Sequence, residues 1–206
     1  PNLPKIDVAI VGEPTMMQLA IAEKGLVVFD GKVEGTASHA AHPNNDNPIS
    51  KLPNIIKWLE NFSFEKVSNT LGPVKLTVTQ IKAGNQHNVV PACVDLVVDV
   101  RVNDCYSNKE IVAILQKDPP LTLTPRSLNL NSSSISLNHP LVKAGIELGR
   151  STYGSPTLSD QAKLGCPSLK LGPGDSTRSH TANEFIFVKE INEAITLYIN
   201  LLKKIL

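Results

Sequence analysis

The chain is poor in most of the features that assign a function directly. No stretch of its 206 residues approaches the roughly 20 consecutive apolar residues that span a bilayer, and its first residues lack the basic-then-apolar pattern of a secretory signal. Neither sign of charge dominates. A net charge of +1 without blocks of like charge gives no electrostatic basis for nucleic-acid or membrane partners. The three cysteines, Cys93, Cys105 and Cys166, are odd in number and unpaired by spacing, which reads as free thiols in a reducing compartment and points to the cytoplasm. Repeats and low-complexity segments are missing. Aromatic residues make up only 4%, yet 41% of the chain is hydrophobic, enough for an ordinary core in one large domain or two modest ones. An initiator methionine is also missing: Pro1 leads almost at once into an apolar strand at residues 7–11. Such strands normally have neighbours on both sides, so the expectation is a chain that begins mid-domain.

Periodicity organises what is present. Residues 20–35 read as extended, with a turn at Asp30-Gly31. Residues 47–62 carry Ile49, Leu52, Ile55, Ile56 and Leu59 at helical spacing. Residues 74–79 alternate apolar and polar. So do residues 94–101, where Val94, Leu96, Val98 and Val100 interleave with Asp95, Asp99 and Arg101. A short helix at 108–117 and a strand at 121–130 complete a β-α-β-β-α-β order, the ferredoxin-like arrangement of an antiparallel sheet with two helices on one face. Beyond it, residues 140–149 are helical, 167–171 form a short buried strand, and 188–206 form an amphipathic helix built on Ile191, Ala194, Ile195, Tyr198, Ile199, Leu202 and Ile205. The expected fold class is α/β. Residues 1–22 and 131–206 form a partial α/β domain, into which a ferredoxin-like unit, 23–130, is inserted.

Two segments hold the residue types of a metal site. Val11-Gly-Glu13-Pro-Thr15 puts a carboxylate where a strand stops. Gly172-Pro-Gly174-Asp-Ser-Thr-Arg-Ser-His180-Thr-Ala-Asn-Glu184 puts an imidazole at the end of a glycine-rich loop. Oxygen and nitrogen donors of this kind suit zinc, and ligands of open α/β sheets gather at strand carboxyl ends. The same residues also read as a surface turn glutamate and as a loop histidine beside Asn183 or Glu184. His39 projects from a run of small residues, Gly35-Thr-Ala-Ser-His39-Ala-Ala-His42-Pro43, where an imidazole can stabilise a developing oxyanion or be an ordinary loop side chain. Asn88 and Arg101 are candidates for gripping a carboxylate; Arg101 equally fits as a strand-face partner of Asp99 or Asp95. Asp160 and Asp175 either orient ligands or cap turns.

Taken in series, Val11-Gly-Glu-Pro-Thr15, Gly35-x-x-x-His39-x-x-x-Pro43, Asn88-Val-Val-Pro91 with Arg101 following, and Gly172-Pro-Gly-Asp with His180 to Glu184 resemble the M20 metallopeptidase family. Within it, the tail looks most like the acetylornithine or acetylcitrulline deacetylase branch, with succinyl-diaminopimelate desuccinylase as a neighbour. The resemblance implies a zinc-peptidase-like catalytic domain carrying a lid and dimerisation domain. It implies a cytoplasmic homodimer that removes an acyl group from an N-acyl amino acid, in arginine biosynthesis for the acetyl branch. It also implies two zinc ions, with cobalt as a substitute, one bound by Glu13 and the other by His180. His39 would serve the partner subunit's oxyanion, Asn88 and Arg101 would meet the substrate carboxylate, and the Gly172–Gly174 loop would line the pocket. The family's His-x-Asp and Glu-Glu pairs, the second of which contains the general base, have no counterpart in this sequence. The chain alone is therefore expected to be inactive and largely metal-free, since a catalytic zinc wants about three protein ligands and a water. A dipeptidase and a non-catalytic dimerisation module are the competing readings.

Overall fold

The computed structural model describes residues 5–206; the proline-bearing start at residues 1–4 lies outside the described residues. In chain order the elements are β1 (Ala9–Val11), β2 (Leu19–Glu23), β3 (Gly25–Glu34), β4 (Ser38–His39), α1 (Pro48–Asn61), β5 (Lys75–Ala83), β6 (Val89–Val90), β7 (Cys93–Val102), α2 (Asn108–Leu115), β8 (Thr122–Pro125), β9 (Ser133–Ser134), α3 (Pro140–Glu147), β10 (Thr152–Ser155), β11 (Ser168–Lys170) and α4 (Val188–Leu202). They form two compact units. The terminal unit comprises the residues up to Gly25, Ser68–Leu71 and Ser132–Leu206; the inserted unit comprises Leu26–Val67 and Gly72–Asn131. No helix among the described residues is long and apolar enough to cross a membrane.

The inserted unit is a four-stranded sheet in the order β5-β7-β3-β8. With α1 between β3 and β5, and α2 between β7 and β8, it has the β-α-β-β-α-β order of a ferredoxin-like fold. The period-2 pattern of β7 buries Val94, Leu96, Val98, Val100 and Val102 against Ile55 and Leu59 of α1 and Ile111 and Leu115 of α2, with Val27, Phe29 and Val33 of β3 in the same cluster. Both helices start where side chains satisfy free backbone donors. Asn47 Oδ1 accepts from the Ile49 amide at 2.9 Å, and Ser107 with Glu110 forms a capping box.

Two expectations change in this unit. Asp30-Gly31 is not a turn, because β3 runs straight through it. A Cβ at Gly31 would lie 3.0 Å from Leu121 Cδ1 and 3.2 Å from Leu96 Cβ, so the glycine admits close packing within the sheet rather than reversing the chain. The strand expected over 121–130 is only β8, four residues long.

The terminal unit holds the sheet β1-β11-β2-β10, with β9 on β2. β1 runs parallel to β11 and β10 parallel to β2, while β11 and β2 are antiparallel. Leu19, Ile21, Leu169 and Leu171 pack with Leu141, Val142 and Ala144 of α3 and Ala194 and Leu201 of α4. The core also contains an ion pair: Lys170 Nζ lies 2.9 Å from Glu23 Oε2, with side chains 4% and 0% exposed. Lys170 donates further to Ser155 Oγ at 3.0 Å and the Thr157 carbonyl at 3.1 Å, and Ser159 Oγ donates to Glu23 Oε2 at 2.7 Å. Among the described residues, Glu23 Oε1 accepts no hydrogen bond. The apolar stripe expected to bury α4 is divided: Ala194 is buried, whereas Ile191, Ile195, Ile199 and Leu202 are exposed.

Candidate active site

The Glu13 and His180 segments are joined at their roots. The Thr15 and Met17 amides donate to the Gly172 carbonyl at 3.1 and 3.0 Å, and the Met16 amide donates to the Gly174 carbonyl at 2.8 Å. Thr15 Oγ1 accepts from the Gly172 amide at 3.2 Å. A Cβ on Gly172 would stand 2.5 Å from the Glu13 carbonyl oxygen, so only glycine permits this approach. Gly174, at φ +85°, turns the loop away from the strand.

Among the described residues, three other than glycine have left-handed backbones: Met16 (φ 52°), Met17 (φ 57°) and His180 (φ 61°). Each costs roughly 1–2 kcal/mol, and all three lie on these two joined segments. Strain of this kind persists where surrounding contacts over-determine it, and it clusters at functional sites.

The loop carrying His180 is internally braced. Asp175 Oδ1 accepts from the amide and the hydroxyl of Thr177, both at 2.9 Å, bonds that hold its carboxyl below the usual carboxylate range. Arg178 Nη1 donates to both carboxylate oxygens of Glu190, at 2.8 and 3.1 Å. That pairing is the main reason Glu190 is more acidic, and Arg178 more basic, than usual. The His180 amide donates to Glu184 Oε2 at 3.0 Å. Among the described residues, neither the Glu13 carboxylate nor the His180 ring is bound to another side chain, so both donors remain available to a ligand. No group of three or more His, Cys, Asp or Glu among the described residues can hold a metal ion by itself. A carboxylate and an imidazole on touching segments therefore fit part of a divalent-metal site.

In the inserted unit, a two-residue ladder sets His39 opposite Val89, and the Ala40 amide donates to the Asn88 carbonyl at 2.9 Å. His39 and Asn88 are thus neighbours. The Ala41 amide donates to His39 Nδ1 at 3.1 Å, which leaves the proton of the neutral ring on Nε2, available as a donor. The loop beneath is pinned by Thr36 Oγ1 to Asp46 Oδ2 at 2.7 Å and Asn44 Nδ2 to Ser38 Oγ at 2.7 Å. Asp46 also pairs with Lys51. The ladder was invisible to pattern reading because two residues carry no periodicity.

Arg101 lies at the far end of the β5–β7 ribbon, opposite Lys75, with about 25 Å of strand between it and the Asn88 end. Within one chain the two are not brought together. Its guanidinium is bidentate on Asp99, Nε to Oδ1 at 2.8 Å and Nη2 to Oδ2 at 3.0 Å, the strand-face pairing that the sequence left open. Asp175 caps the turn Ser176–Arg178, and Asp160 begins the turn Asp160–Lys163. Sequence reasoning missed Lys170, Glu23 and Arg178 altogether.

Residues 21–119 match the M20 dimerisation family, described as a peptidase dimerisation domain. Succinyl-diaminopimelate desuccinylases of Rickettsia akari and Erythrobacter litoralis are 28% and 26% identical over 98% and 94% of the chain. The chain covers 59% and 56% of their lengths, so it spans little more than half of these relatives. A tripeptidase from Staphylococcus aureus superimposes with a TM-score of 0.75 at 18% identity, covering 97% of this chain and 57% of that one. An M20 family metallo-carboxypeptidase from Sulfolobus solfataricus superimposes at 0.71 and 16%, covering 97% and 64%. These findings support an M20 metallopeptidase fragment, and the fold is that of these enzymes over the part the chain spans.

Proposed function

We propose that the chain is part of a metal-dependent amide hydrolase that removes a short acyl group from an N-acylated amino acid in the cytoplasm. The observation supporting this best is the junction of the Glu13 and Gly172–His180 segments, with left-handed backbone concentrated on them and two unengaged donor side chains at their ends. In this reading Glu13 and His180 each hold one ion of a zinc pair, for which cobalt can substitute. When bound, such ions acidify a water and polarise a carbonyl. His39, with its proton on Nε2, donates to the amide oxygen as it becomes anionic. Asn88 and Arg101 contact the substrate's carboxylate, and the Gly172 and Gly174 backbone lines the pocket. Because Asn88 and Arg101 stand at opposite ends of one ribbon, a single chain cannot direct both at one substrate; a homodimer can. The group that takes the water's proton is assigned to the part of the relatives' length that this chain does not span.

The acyl group is argued from two directions. The tail around His180 resembles the acetyl branch, whereas the relatives are named desuccinylases, and we favour succinyl on the longer match. The gene product, assayed at the length of its relatives, is expected to show the higher kcat/KM on N-succinyl than on N-acetyl amino acids. Glu13→Ala and His180→Ala should each lose bound metal and about 100-fold in turnover. A Glu13→Ala/His180→Ala double variant that kept its metal and its turnover would sink the reading. The 206-residue chain by itself is expected to bind Zn²⁺ only weakly, and calorimetry showing tight binding would count against the ligand assignment.

A further inference from the structure

We propose that Arg178 is the positioning residue for His180, and that its attachment to α4 sets how firmly the His180 imidazole grips a divalent cation. This rests on the reading of His180 as a metal donor. A left-handed histidine does not keep its conformation unaided, and its own backbone supplies a single amide bond to an exposed carboxylate, Glu184. Arg178, two residues earlier, secures the loop on both sides of that strained residue. Its carbonyl accepts from Thr181 Oγ1 at 2.7 Å, closing the chain around His180, while its guanidinium reaches out to Glu190.

The anchor at the other end is itself fixed. Glu190 lies in the first turn of α4 and accepts the Phe187 amide at 2.9 Å. α4 is in turn held to the unit by buried Ala194 and Leu201 and by the Tyr198 hydroxyl, which donates to the Leu171 carbonyl. Leu171 immediately precedes Gly172, so the same helix restrains the start and the end of the loop that carries His180. Phe185 and Phe187, edge-to-face at 5.1 Å, place their ring centres 4.9 and 5.0 Å from the guanidinium, adding cation–π contact and removing water from the pair. An isolated surface ion pair contributes little. Here one guanidinium nitrogen, Nη1, meets both oxygens of Glu190, and the pair is packed by two rings and leaves only 23% and 24% of its side chains exposed. A lysine lacks the planar guanidinium that lies against the Phe185 and Phe187 rings.

The test uses the 206-residue chain and two NMR observables: exchange of the His180 amide, and a Zn²⁺ titration followed at the His180 imidazole, which reads weak binding. His180→Ala is the blank, and the urea unfolding midpoint is the control. Arg178→Ala is expected to speed His180 amide exchange and weaken Zn²⁺ at His180 by about tenfold, with the unfolding midpoint little changed. Arg178→Lys should recover only a small part, and Glu190→Gln should fall between. Should Arg178→Ala fail to fold, Arg178→Lys and Glu190→Gln carry the same comparison. Unchanged exchange and affinity in Arg178→Ala, or a lysine variant equal to the wild type, overturns the positioning role alone. If Zn²⁺ never perturbs the wild-type His180 ring, the positioning role and the metal assignment fall together.

Discussion

The two units solve the problem of a core differently. The inserted unit closes over an apolar cluster drawn from three of its strands and both helices, and the polar side chains buried in it among the described residues are uncharged, Asn103 and Asn108. The terminal unit sets an ion pair of Lys170 and Glu23 inside its sheet and leaves apolar side chains of α4, together with Phe185, Ile186 and Phe187, exposed. It also contains all three left-handed residues other than glycine among the described residues. One core is free of charge, whereas the unit with the other holds a buried ion pair and the three strained residues.

The sharpest way to separate the two cores is to delete one member of each. Lys170→Met strands the Glu23 carboxylate in the terminal unit and should cost about 3–5 kcal/mol in urea unfolding. Adding Glu23→Leu should recover much of that. Leu96→Ala in the inserted unit should cost about 2–5 kcal/mol, with no second substitution able to restore it. If the double replacement proved no better than Lys170→Met alone, the contrast between a charged and an apolar core would fail.

Glycine tests the comparison more gently. Gly172→Ala drives a Cβ against the Glu13 backbone and should cost about 1–3 kcal/mol. Gly31→Ala meets only leucine side chains at 3.0 and 3.2 Å and should cost less, read as the difference in melting temperature. Equal costs would mean that the Glu13–Gly172 contact is looser than described.

Acid should give the smallest effect. Arg178 first, and then the Phe187 amide, lower the Glu190 pKa, so this contribution to stability is fully present above the ordinary glutamate value near 4.3 and is lost as pH falls through the lowered one. In the inserted unit Asp46 behaves alike, lowered by Lys51 and then Thr36. Trp58, the sole tryptophan, reports that unit, while Tyr198 reports α4. Neither probe should move appreciably between pH 7 and pH 5, and a transition there would point to another group.

Much of the fold was legible because it depended on periodicity. The α1 stripe, the alternation of β7 and the order of elements between residues 26 and 131 all follow from which residues reach a shared core. Asp30-Gly31 was misread because the dipeptide that favours a hairpin turn is also what two approaching leucines require, and only the sheet distinguishes the cases. For Arg101, Asp99 is two residues away on the same strand face, so local spacing could not choose between a structural partner and a ligand. Lys170 looked like one polar residue in an apolar strand, since its partner lies 147 positions earlier in the sequence. Glu13 and His180 were singled out by residue type and motif. The contact between their segments depends on Gly172 meeting the Glu13 backbone, which composition does not encode.

The left-handed methionines have a practical consequence for directed selection. Glycine tolerates their φ values and would relieve roughly 1–2 kcal/mol at each site, against about 0.5–1 kcal/mol for its greater freedom in the unfolded chain. A screen that rewards thermal resistance and ignores catalysis should therefore enrich glycine at Met16 and His180, whose side chains are exposed, but not at Met17, whose side chain is part of the core and would leave a cavity. The positions where heat tolerance improves would mark the strained backbone of the two joined segments, and survivors of such a screen should be assayed for lost function first.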